Sequence, residues 1–122
     1  MNYRSLDNLK ALERTENSVT LEFSVPENSP YFDGHFPDFT LLPAVAQMEL
    51  LIRFASEYLG TSIDVTEMRR IKFTKFIRPN THLLLRLEKK EQSIMFRILS
   101  RQGESVYSSG IFTASAAEGK DK

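Results

Sequence analysis

The chain reads as an α+β domain in which one long, almost wholly apolar helix lies in the concave face of a curved antiparallel β-sheet. Three observations predict it. Residues 43–59 carry apolar side chains around most of a helical wheel, between a proline suited to a first turn and a glycine suited to a C-terminal stop. From Arg69 to Ala114 the hydrophobic period changes to two and stays there. The period-two runs are separated by short polar turns, which makes successive strands antiparallel neighbours.

The first segment admits two readings. Leu6, Leu9 and Leu12 recur every third residue behind Ser5, as in a short capped helix. The same residues also suit the first arm of a hairpin turning at Glu16-Asn17-Ser18, and the strand pair is preferred because the second arm is clear. There Val19, Leu21, Phe23 and Val25 alternate with Thr20, Glu22 and Ser24. Residues 31–42 follow neither period and contain Gly34 and Pro37, so they form a loop. On the helix that follows, Val45, Met48, Ile52, Ala55 and Leu59 cluster, and Leu51, Phe54 and Tyr58 extend their face. Polar residues keep to a narrow arc of Glu49, Arg53, Ser56 and Glu57, as expected of a helix mostly enclosed by its fold. Strands are then expected over 69–77, 83–88, 94–99 and 106–114.

The totals exclude several classes. A chain of 122 residues is one domain, assigned to 1–115, with 116–122 expected to be a disordered tail. Without cysteine there are no disulfides or thiolate metal sites, and the two histidines, His35 and His82, are too far apart in sequence to suggest a metal pair. No metal is expected. Residues 1–14 lack the apolar stretch of a secretory signal, and 41–55 are too short and polar to span a membrane, so a cytoplasmic location is expected. Sixteen basic and sixteen acidic residues cancel overall. Residues 69–90 nevertheless carry eight Lys/Arg against one acidic residue, whereas 1–68 carry four against eleven. Such a block fits either a solvated sheet face or a local contact with an acidic partner, and not general nucleic-acid affinity.

The chemistry-bearing stretch is 31–60. It contains Gly34-His35-Phe36-Pro37, then Pro43-Ala44-Val45, and Glu49 fourteen residues after the histidine. These residues resemble the hotdog-fold β-hydroxyacyl-ACP dehydratases of the FabA/FabZ type, with their Gly-His-Phe-Pro-Gly loop, Pro-Gly-Val helix start and acidic residue at that spacing. Residues 72–79, Lys72-Phe73-Thr74-Lys75-Phe76-Ile77-Arg78-Pro79, are similar to the family's Lys-Phe-Arg-Arg-Pro strand. The likeness covers 31–87, and the run 42–47 is most similar to the short dehydratases of aryl-polyene and polyketide-like clusters. Three positions depart from the pattern: Asp38 and Ala44 replace glycines and Thr40 a proline.

The resemblance implies a single hotdog domain that removes water from a β-hydroxyacyl thioester carried on acyl carrier protein, without a cofactor. It implies His35 as base, Glu49 as acid and the Ala44 amide as donor to the thioester oxygen, in a homodimer whose sites form between subunits. A neutral imidazole suits the first role, and a carboxyl set among apolar side chains is expected to hold the proton for the second. Phe36, Phe39, Val45 and Phe73 would line the acyl tunnel, and Lys72, Lys75 and Arg78 would dock the carrier. Each role has a plainer competitor. His35 could be a packed loop residue, Glu49-Arg53-Glu57 a solvent-facing ion-pair ladder, and the aromatics ordinary core. A hotdog thioesterase and a non-catalytic acyl-binding protein stay open as alternative functions.

Overall fold

The computed structural model describes residues 6–27, 29 and 42–116. His35, Phe36 and Phe39, with Asp38 and Thr40 and the tail beyond Ala116, lie outside them. In chain order the elements are β1 (Asp7–Arg14), β2 (Ser18–Ser24), α1 (Ala44–Leu59), β3 (Thr61–Phe73), β4 (Leu83–Lys90), β5 (Ser93–Ser100) and β6 (Val106–Ala116). The strands form one six-stranded sheet in the order β1-β2-β4-β5-β6-β3, and every neighbouring pair is antiparallel.

The clean alternations became strands because one face of each is buried. Val19, Leu21 and Phe23 of β2, Leu83, Leu85 and Leu87 of β4, and Ile94, Phe96 and Ile98 of β5 are all buried in one core. The face of α1 that meets this core consists of Ala46, Leu50, Leu51, Phe54, Ala55 and Leu59. Phe54 packs on Phe23 with ring centroids 5.5 Å apart, and Phe96 on Phe112 at 6.3 Å, arrangements worth about 0.5–1.5 kcal/mol each beyond area burial. The helix stops at Gly60, whose φ of 71° is costly for any residue with a Cβ. Arg14, at the end of β1, reaches that terminus, donating to the Tyr58 carbonyl at 3.3 Å while its guanidinium lies 5.0 Å from the centre of the Tyr58 ring.

The first segment is a strand, the reading preferred over the short helix, and its three-residue leucine step comes from breaks in register against β2 between Asp7 and Lys10 and between Ala11 and Glu13, with Asn8 at φ 58°. An irregular strand thus imitates a helical period. Two other expectations are corrected. The strand expected over 69–77 begins instead at Thr61 and ends at Phe73, so Gly60 alone connects α1 to β3. Its period was hidden because its pairing with β6 shifts register three times, between Thr61 and Val65, Val65 and Glu67, and Arg69 and Lys72. The helix is also less enclosed than its wheel suggests. Val45 is 79% exposed and Met48 and Ile52 are only partly buried, because that strip faces a cleft between the helix and β3.

Candidate active site

The site is built from the start of α1. Pro43 caps the helix in an extended conformation, with no side-chain capping bond and no acidic residue in the first turn. The first helical bond runs from the Gln47 N–H to the Pro43 carbonyl at 3.0 Å. By helix geometry the amides of Ala44, Val45 and Ala46 then have no acceptor within the helix, and they carry its positive dipole end. Ala44 and Val45 are exposed residues, whereas Ala46 is buried.

Gln47 fixes this start from inside. Its side chain is buried, its Nε2 donates to the Leu42 carbonyl at 3.1 Å, and its Oε1 accepts from the Ser108 hydroxyl on β6 at 2.8 Å. Leu42 in turn donates its N–H to the Ile77 carbonyl at 2.8 Å. The helix start is therefore tied to β6 and to the segment that leaves β3.

Between α1 and β3 lies a cleft of about 700 Å³. Ala44, Val45, Met48 and Ile52 line its helix wall, and Ile63, Met68, Ile71 and Phe73 its strand wall. Its charged groups, Glu49 and Arg53, form an ion pair with Arg53 Nε 3.4 Å from Glu49 Oε2. Their side chains are 50% and 47% exposed respectively. Among the described residues Glu49 is therefore half-exposed at an open cleft, short of the apolar enclosure expected around it. The ladder reading holds in part, since Glu49 is both an ion-pair member and a cleft residue.

Of the expected site residues, the cleft brings together Ala44, Val45, Glu49 and Phe73. His35, Phe36 and Phe39 fall outside the described residues. Lys72, Lys75 and Arg78 are exposed along the end of β3 and the segment after it, and Lys75 Nζ donates to Ser105 Oγ at 3.0 Å. His82 is exposed just before β4, as expected of a residue leaving a turn. Among the described residues no group of three His, Cys, Asp or Glu side chains could hold a metal ion, and no helix is long and apolar enough to cross a membrane.

Sequence reasoning missed Gln47 and Ile71. Gln47 shares a helix face with Leu50, Leu51 and Phe54, and a lone amide at core spacing is the available signal for a buried clamp. Ile71 is hidden by the register shift beside it.

Residues 11–111 match the ApeI-like family, described as ApeI dehydratase. The chain belongs to this family. It is also 31% identical over 83 residues to the 3-hydroxyacyl-[acyl-carrier-protein] dehydratase FabZ of Streptococcus suis, a match covering 62% of this chain and 59% of that protein. The chain thus spans about three fifths of the length of the curated relatives it matches. Among solved structures it resembles a chain of the dehydratase heterocomplex ApeI:P from Xenorhabdus doucetiae, with a TM-score of 0.74 and 23% identity, covering 88% of this chain and 98% of that one. An uncharacterized protein from Erwinia carotovora subsp. atroseptica superposes with a TM-score of 0.70 at 28% identity, covering 91% of this chain and 92% of that one. The family and these likenesses establish the hotdog fold, which the described residues show as one helix and a six-stranded antiparallel sheet.

Proposed function

We propose that the protein is a β-hydroxyacyl-[acyl carrier protein] dehydratase. The observation that carries this reading is a conjunction in a chain of the ApeI-like family: the helix N-terminus at Ala44 and the carboxylate of Glu49 border one apolar cleft. A β-hydroxyacyl thioester needs an apolar slot for its chain, a donor for its carbonyl oxygen, and one group each to accept and to give a proton.

In the proposed reaction His35 takes the proton from the carbon beside the thioester carbonyl. The electrons of that C–H bond form the new double bond, the bond from the β-carbon to the hydroxyl breaks, and the departing oxygen takes a proton from Glu49 to leave as water. The negative charge that gathers on the thioester oxygen meets the Ala44 amide and the helix dipole. Alanine retains the N–H that this role needs.

The open cleft and half-exposed Glu49 support a dimeric enzyme. A second copy pairing along the outer edge of β3 would cover Ile63 and Met68, enclose Glu49, and bring its own His35 to the site. Lys72, Lys75 and Arg78 lie beside and beyond Phe73 of the cleft wall, where they suit an acidic carrier protein or the phosphate of its pantetheine arm.

The test is incubation with β-hydroxyacyl carrier proteins of several chain lengths, read by intact mass. The expected product is the enoyl carrier, lighter by one water, and both His35→Ala and Glu49→Gln should lower its rate by at least about a hundredfold. Release of free acid would establish the thioesterase instead, and binding without any product the non-catalytic acyl-binding protein.

A further inference from the structure

The strand wall of the cleft depends on a bulge. Arg69 pairs with Ile111 and Lys72 with Ser109, so Arg70 and Ile71 together oppose the single residue Gly110. Arg70 takes a φ of 55°, a left-handed conformation within this bulge. In a regular strand, Met68 and Ile71, three positions apart, would point to opposite faces. The extra residue brings both into the cleft together with Phe73.

Ile71 also settles into a space that a side chain at 110 would occupy. A Cβ at Gly110 would lie 2.5 Å from Ile71 Cδ1 and 2.8 Å from Phe96 Cε2. Phe96 is fully buried against Phe112 and has nowhere to retreat. Ile71 is half-buried and borders the open cleft, so it is the group that must move, and it must move into the cleft.

We infer that Ile71, seated on Gly110, sets how long an acyl chain the cleft accepts. The inference rests on the reading of the cleft as an acyl site and adds the residues that limit its capacity. Ile71→Ala removes the limiting side chain, and Gly110→Ala drives the limit inward. In an apolar pocket one methylene changes discrimination by roughly 10- to 200-fold, so the two substitutions should move length preference in opposite directions by steps of about tenfold.

The experiment uses the full chain and two readouts. One is kcat/KM for enoyl formation across β-hydroxyacyl carrier thioesters of increasing length. The other is calorimetric binding of saturated acyl-pantetheines, which cannot lose water. Ile71→Ala should shift both optima to longer chains, while Gly110→Ala should shift them to shorter ones. Adding Ile71→Ala to Gly110→Ala should recover long-chain binding, and urea unfolding of each variant separates this from a recovery of folding. Unchanged length profiles in Ile71→Ala, which retains the native Gly110, would overturn the inference. If the wild-type protein forms no enoyl product, the dehydratase reading fails, and the binding profiles still decide the role of Ile71.

Discussion

Gln47 carries a buried carboxamide whose two ends are both satisfied, by Leu42 and Ser108. Gln47→Leu keeps most of the bulk and removes both bonds, leaving two buried polar groups without their partner. Such groups cost about 1–3 kcal/mol each, so a loss of about 2–4 kcal/mol is expected in urea unfolding. Turnover should fall as well, because the amides at Ala44 to Ala46 would lose their fixed direction. Unchanged stability would mean that the clamp is dispensable. At Glu49 the sequence supported two readings, an ion-pair ladder and a site carboxylate, and residue types alone could not separate them. The Glu49–Arg53 pair lies at the edge of the cleft, so one helical arc satisfies both patterns.

At the scale of elements, legibility followed regularity. β2, β4 and β5 each bury one face without a break against β4 or β2, and their alternation was plain in the text. The helix was equally plain, with Pro43 and Gly60 marking its ends. β1 was ambiguous with a helix and β3 was legible only from Arg69, because inserted residues change the phase of the hydrophobic pattern partway along. Position 70 provides a test of that account. Valine ordinarily favours an exposed strand over arginine, yet at φ 55° its branched Cβ clashes with the backbone. Arg70→Val is therefore expected to lower stability by about 1–2 kcal/mol in thermal or urea unfolding, with Arg70→Asn close to neutral. A stabilised valine variant would show that the bulge relaxes at little cost.

For the whole molecule, the sheet has two unlike edges. β1 is short, irregular and largely exposed, whereas β3 is thirteen residues long and walls the cleft. A dimer with shared sites makes a quantitative prediction. Chains carrying His35→Ala and chains carrying Glu49→Gln, each inactive alone, should regain about a quarter of the wild-type rate after equal mixing and subunit exchange, since half the dimers are mixed and each has one intact site. Regaining nothing once exchange is verified would show that each chain supplies both groups to its own site.

The single residue Gly60 between α1 and β3 gives the two jaws of the cleft a common corner, like a clamp fixed at its heel. A connection so short has almost no slack, so the jaws cannot part at that end without unwinding the last helical turn or unpairing the first residues of β3. Adaptation to differently shaped guests then falls to side chains instead of loop breathing. Lengthening the corner by a few residues would convert a fixed aperture into an adjustable one.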